Sequence, residues 1–122
     1  MDTYQKYAPL ILRIGLSALF VCFGMEQILD GLSWVSWVPE WAVNLFHVSP
    51  ALIVMGNGFL ELGGGVLLAF GVFTRFVALI LAIHTLLIAF QIGITAIGVR
   101  DMAIVASLLS LSCFGRDRWS LL

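Results

Sequence analysis

The chain has 122 residues, of which 61% are hydrophobic and 11% are charged. Water-soluble domains carry about 25% charged residues, and so small a fold cannot bury this much apolar surface, so lipid must surround most of the chain. The formal net charge of −1 excludes the basic surface typical of nucleic-acid-binding proteins. We therefore expect one integral membrane domain, residues 1–122, with membrane lipid as its main partner.

Four apolar runs predict four transmembrane helices, since a helix needs about 20 residues to cross a bilayer. The first run is not followed by a small-residue cleavage site, so it is predicted to be an uncleaved helix rather than a signal peptide. Because lipid offers no hydrogen-bond partners to the backbone, the expected fold is an all-α four-helix bundle. The predicted helices span residues 8–29, 50–73, 76–97 and 99–115.

The connections between these helices carry local signals of their own. Ser49 and Pro50 suit the N-cap and the first helical position of the second helix. Gly98 is expected to separate the third helix from the fourth. The loop between the first two helices is the longest, and its residues 39–46 predict a short helix that lies in the membrane interface.

Basic residues are concentrated at one end of the predicted bundle. The end that carries both termini has five of them, whereas the opposite end has only Arg100. Cytoplasmic segments of membrane proteins carry an excess of lysine and arginine, so both termini are predicted to be cytoplasmic. The five residues are Lys6, Arg13, Arg75, Arg116 and Arg118.

Polar residues inside the apolar runs are the candidates for function. Glu61 lies near the middle of the second helix, where a carboxylate is costly unless it is protonated, paired or hydrated. At about 1.5 Å per residue, Arg13, Glu61 and His84 fall in the same half of the membrane, which makes them the candidate catalytic residues. Asn57 lies one turn from Glu61, and Gln91 two turns from His84, so both are candidates for binding a cofactor.

Two interpretations of these residues stay open. In the functional one, Glu61 and His84 titrate and serve a proton relay or bind a quinone head group. In the structural one, Arg13 neutralises Glu61, Glu26 neutralises Arg100, and the amides join helices. The residues expected to form structural ion pairs are Glu26, Arg100 and Asp101.

No residue spacing predicts a metal site or a covalently bound cofactor. The sequence has no Cys-x-x-Cys-His motif for covalent haem. His47 and His84 are predicted to lie roughly 20 Å apart in depth, too far to ligate one haem iron. A catalytic triad, a phosphate loop and a dinucleotide fingerprint are also absent from the sequence. A non-covalently bound quinone is compatible with these polar residues.

Several short motifs occur in a fixed order along most of the chain. The Glu61 motif reads Glu-Leu-Gly-Gly-Gly-Val-Leu-Leu, and Arg100-Asp101 opens the last predicted helix. In their order and spacing these motifs resemble the DoxX family of small four-helix membrane proteins. The segments that carry the resemblance are residues 13–16, 23–24, 61–68, 71–75, 100–104 and 115–121.

The resemblance implies a four-helix bundle in the prokaryotic cytoplasmic (inner) membrane, with Glu61 and the Arg100-Asp101 pair matching residues of the family. The chain departs from the family pattern at Phe23-Gly24, where other members often have His-Gly followed by a lysine. It departs again at its end, where Ser-Leu-Asp is usual and Ser-Leu-Leu is present.

The resemblance also implies a link to quinol oxidation or to thiosulfate:quinone oxidoreduction. The first functional expectation is therefore an accessory subunit of a respiratory or oxidase complex, assisting quinone or proton handling. The alternatives are a stand-alone quinone-binding oxidoreductase and a small oligomeric transporter. Other complex subunits or further copies of the chain are the expected protein partners, and the sequence leaves open whether the chain is itself an enzyme.

Overall fold

Helices dominate the computed structural model, which describes residues 3–115 and residue 120. Arg116 and Arg118, which are predicted to lie at the cytoplasmic end, fall outside the described residues. In chain order, the elements are α1 (Thr3–Leu29), a 3-10 helix (Gly31–Trp37), α2 (Glu40–Phe46), α3 (Pro50–Phe70), α4 (Thr74–Ile92) and α5 (Ala96–Phe114).

Four of these helices, α1, α3, α4 and α5, are long and apolar enough to cross a membrane. This confirms the predicted bundle and makes the chain a multi-pass membrane protein. The short helix predicted in the longest loop is also confirmed, as α2. We call the end of the bundle that holds the α3–α4 turn and the end of α5 the terminal end, and the end that holds the 3-10 helix and α2 the loop end.

The break between α4 and α5 does not fall at Gly98, as the sequence predicted. α4 ends at Ile92, Gly93 follows with a φ of 79°, and α5 begins at Ala96. Thr95 is the N-cap of α5, because its Oγ1 accepts a hydrogen bond from the Gly98 backbone N–H at 3.1 Å. Gly98 therefore lies in the first turn of α5, and the predicted boundary was wrong because the threonine cap was overlooked.

The α3–α4 turn is set by a glycine at the end of α3. Gly71 adopts a φ of 69°, and its N–H donates to Leu68 O at 3.1 Å, while Val72 N–H donates to Leu67 O at 2.9 Å. This pair of bonds in the left-handed region is a common way to end a helix. It stops α3 at Phe70, before the predicted residue 73.

Replacing Thr95 by alanine removes the N-cap of α5. We expect the free energy of unfolding to fall by about 1 kcal/mol. Thr95→Ser keeps the hydroxyl and is expected to stay close to wild type. The unfolding free energy of both variants can be measured in mixed micelles titrated with a denaturing detergent. If Thr95→Ala and Thr95→Ser lose the same unfolding free energy, the hydroxyl cap does not stabilise α5.

The four long helices pack as two pairs, α1 with α3 and α4 with α5, and the contacts between the pairs are fewer. Glycines let α1 and α3 approach closely. A Cβ built on Gly24 would lie 2.6 Å from Leu62 N and 2.7 Å from Gly58 O, both backbone atoms. Since only hydrogen fits at Gly24, this crossing fixes which residues of α1 and α3 face each other.

The best-packed part of the bundle lies toward the terminal end. Leu68, Leu81, Leu108 and Leu111 are all at most 1% exposed there, and they come from three different helices. The loop half of the bundle contributes fewer residues to this hydrophobic core, and the candidate site lies in that half.

Candidate functional site

A closed ring of three polar side chains lies between α1 and α3. Gln27 Nε2 donates to Glu61 Oε2 at 2.9 Å. Asn57 Nδ2 lies 2.6 Å from Gln27 Oε1 and 3.1 Å from Glu61 Oε1, and donates to both. Gln27 is 2% exposed and Glu61 is 5% exposed. Each Glu61 oxygen thus accepts a hydrogen bond from an amide, so both oxygens of this buried side chain have a donor.

The glycine crossing places this ring. Gln27 follows Gly24 by almost one turn of α1, and Glu61 follows Gly58 by almost one turn of α3. Because the two helices run in opposite directions and touch at Gly24 and Gly58, Gln27 lies beside Gly58, and its side chain reaches the Glu61 carboxylate one turn further along α3. A Cβ on Gly58 would lie 3.0 Å from Gln27 Cβ, which shows how tightly the two helices hold Gln27.

His84 of α4 approaches the same carboxylate from the other side. Its Nε2 lies 3.6 Å from Glu61 Oε1, within ion-pair distance when the imidazole is protonated. This nitrogen is buried and has no hydrogen-bond partner among the described residues. The His84 side chain is 21% exposed, against 7% for Glu61, so His84 is the more accessible member of the pair.

The ring forms one wall of a partly open cavity of about 240 Å³ in the loop half of the bundle. All four long helices and the segment that follows α1 contribute to its lining. The polar lining residues are Gln27, Asn57, Glu61, Thr85, Arg100 and Asp101. The apolar ones are Leu19, Phe20, Phe23, Trp34, Val38, Pro39, Ile53, Val54, Ile88, Ile97 and Ile104. An apolar cavity with a few convergent polar groups is the usual form of a small-molecule site.

An ion pair from α5 forms a second polar wall. Arg100 Nη2 lies 3.1 Å from Asp101 Oδ1, and the Asp101 side chain is only 7% exposed. The Arg100 guanidinium carbon also lies 5.2 Å from the centre of the Phe23 ring. The Phe23 ring is in turn 6.1 Å from the Trp34 ring. A cation–aromatic contact thus links α5 to α1 and to the 3-10 helix that covers the cavity.

Comparison with known proteins identifies the family. The family model described as DoxX matches residues 8–94, which is most of the chain. The chain belongs to the DoxX family. The match contains Gln27, Asn57, Glu61 and His84, so the ring and its histidine lie within the part shared with the family. No curated protein and no solved structure matches the chain.

Arg13 does not join the polar ring of this DoxX-family protein, although the sequence placed it beside Glu61 and His84. Its Nη1 donates to Leu68 O and Ala69 O, both at 2.8 Å. The last carbonyls of a helix have no partner within the helix and attract a cation. Arg13 therefore binds the terminal end of α3, and the expected ion pair with Glu61 is not formed.

The expected ion pair between Glu26 and Arg100 is not formed either. Glu26 is exposed on α1 and forms no ion pair with Arg100, which pairs with Asp101 instead. The reason is helical phase, since the neighbouring Gln27 takes the buried face that follows Gly24. Of the three residues expected in structural ion pairs, Arg100 and Asp101 are joined and Glu26 lies apart.

Gln91, a predicted cofactor-binding residue, is not part of the cavity lining. Its Oε1 accepts a hydrogen bond from Trp41 Nε1 at 3.1 Å, and the bond is exposed. Gln91 therefore ties α4 to the interfacial helix α2. Asn57, the other predicted cofactor-binding residue, does line the cavity.

Sequence reasoning missed Gln27 as a site residue, although it makes the shortest hydrogen bond to Glu61. A signal was present, because Phe20, Gly24 and Gln27 recur at helical spacing on one face of α1. The aromatic walls, Phe23 and Trp34, were also missed. They had no comparable signal, since Trp34 reaches the cavity only through the path of the 3-10 helix.

Proposed function

We propose that this protein binds a quinone head group in the cavity and exchanges a proton with it through Glu61, as a subunit of a membrane redox complex. The observation that carries the proposal is a buried carboxylate, held by two amides, that forms part of the wall of an apolar cavity.

The size and lining of the cavity suit a small aromatic ring. Binding pockets for drug-sized ligands have volumes of about 300–1,000 Å³. A cavity of about 240 Å³ therefore suits a single substituted ring. Phe23 and Trp34 offer aromatic faces and edges to such a ring. Its two oxygens need polar partners, and the cavity wall has them on α1, α3 and α5.

The ring of side chains also suits the proton chemistry of a quinol. Oxidation of a quinol releases two electrons and two protons. The Glu61 carboxylate can accept a hydrogen bond from a quinol hydroxyl and then the proton itself. His84 lies 3.6 Å behind it as a second proton acceptor. The electrons require a redox partner, which we assign to another subunit, in keeping with the link of DoxX-like proteins to oxidoreductase systems.

Replacing Glu61 by glutamine tests the proposal. Because hydrogen bonds to a charged acceptor are stronger by about 1 kcal/mol or more, we expect Glu61→Gln to weaken quinol binding about tenfold. The probe is a benzoquinol without a side chain, titrated anaerobically into the purified protein in a calorimeter.

Glu26→Gln is the matched control, since it makes the same change at an exposed position of α1. It is expected to bind like wild type. Equal affinities in all three proteins would reject Glu61 as the binding group, and no binding to wild type would reject the quinone site itself. Purification in a gentle detergent, with mass spectrometry of retained subunits, tests the assignment to a redox complex.

A further inference from the structure

A second concave surface follows the outside of the bundle along the seam between α3 and α4. It is an apolar groove of about 270 Å³ in the terminal half. Leu60, Gly63 and Leu67 of α3 line one side, and Val77, Ile80 and Leu81 of α4 line the other. Gly63 is exposed, and a Cβ placed on it would meet nothing within 4 Å, so the groove is open to lipid at this point.

The groove and the cavity lie on the two sides of the contact between Glu61 and His84. Toward the terminal end, Gly64 and Leu81 line the groove less than one turn from Glu61 and His84, respectively. Toward the loop end, Asn57 and Thr85 line the cavity on the same two helices. The α3–α4 seam that connects them has fewer contacts than the α1–α3 and α4–α5 pairs.

We propose that this groove holds the alkyl or isoprenoid chain of a membrane-dissolved ligand whose head group occupies the cavity. The ligand reaches the cavity sideways from the lipid, past His84. This inference rests on the proposed function and adds the class of ligand, an amphiphile with a long apolar chain, and its route.

Two observations support this occupant. The cavity has room for a ring but not for a long chain as well, so the chain of such a ligand must extend out of the cavity. The loosest seam in contact with Glu61 runs directly into an apolar groove. Moreover, His84 Nε2 makes no hydrogen bond with the described residues, so rotation of the imidazole breaks none at this nitrogen.

Gly63→Leu tests the groove, because the new side chain fills it without meeting any neighbour at Cβ. Gly56→Leu is the matched control. Gly56 is also exposed on α3 with open space around its Cβ, but it does not line the groove. Each variant in lipid nanodiscs is titrated with two probes, a benzoquinol without a side chain and the same ring carrying a decyl chain.

We expect Gly63→Leu to weaken binding of the decyl probe about fivefold, through lost chain contacts, and to leave the probe without a chain unaffected. Gly56→Leu is expected to bind both probes like wild type. If Gly63→Leu binds the decyl probe as wild type does, the groove is not the chain site, while the proposed function stands. If wild type binds neither probe, both proposals fail together. A change of oligomeric state in Gly63→Leu alone would assign the groove to a second copy and overturn the inference.

Discussion

Replacing Gly24 by leucine is expected to separate α1 from α3 and to cost at least about 3 kcal/mol of unfolding free energy. The new Cβ would lie 2.6–2.8 Å from Leu62 N, Gly58 O and Leu62 Cα, all of them backbone atoms. No rotamer change relieves such a contact, so the helices must move apart. The hydrogen bond from Gln27 to Glu61 depends on that spacing and should be lost with it.

Gly15→Leu is the control for this substitution. Gly15 is on the same helix, and a Cβ there meets nothing within 4 Å. Unfolding of both variants in mixed micelles, followed by circular dichroism, gives the comparison. The expected result is a large loss for Gly24→Leu and little change for Gly15→Leu. Similar stability of the two variants would contradict the close α1–α3 crossing on which the site geometry depends.

Replacing Gln27 by leucine is expected to lower the unfolding free energy by about 2 kcal/mol and to weaken quinol binding about tenfold. The substitution removes the donor to Glu61 Oε2 and the acceptor for Asn57. A hydrogen bond to a charged group contributes about 1.5–3 kcal/mol, so loss of the donor to Glu61 accounts for an effect of this size.

Gln91→Leu is the control for this second effect. It makes the same change at Gln91, which is exposed and accepts a solvent-exposed hydrogen bond from Trp41. It is expected to cost well under 1 kcal/mol and to leave quinol binding intact. The same measurements in the Gln27→Leu, Glu61→Gln and double variants give the coupling energy between the two residues. A coupling near zero would show that Gln27 does not hold the carboxylate.

The fold followed from hydropathy because lipid allows few alternatives. Four apolar runs of sufficient length, with backbones that must satisfy their own hydrogen bonds, permit little besides a helical bundle. The ends of the helices were harder to predict. Glycine is a common helix stop, so Gly98 predicts a break, yet Thr95 caps α5 and places Gly98 in its first turn.

The candidate site was only partly predictable. Glu61 was found because a charge in an apolar run is unusual, and Asn57 because it lies one turn away on the same helix. Gln27 and the cavity depend on where α1 and α3 cross, which is a tertiary property set by Gly24 and Gly58. Arg13 was misplaced because depth along a helix axis does not show which partner a long side chain reaches.

The orientation of the protein stays a prediction. The basic residues at the terminal end favour a cytoplasmic location for both termini. Within the described residues, two of these arginines bind helix ends. Arg13 caps α3, and Arg75 Nε donates to Ser112 O of α5 at 3.0 Å. Their positions thus stabilise the bundle as well as contributing to the charge difference across the membrane.

The most direct test of the central claim is photolabelling of the protein in nanodiscs with an azido-substituted quinone, followed by peptide mass spectrometry. The account expects labels on residues that line the cavity, such as Phe23 of α1 and Ile104 of α5. An excess of unlabelled quinone should suppress them, and Glu61→Gln should reduce them. Labels confined to lipid-facing side chains, unaffected by competitor or by the Glu61 substitution, would contradict a quinone site in this cavity.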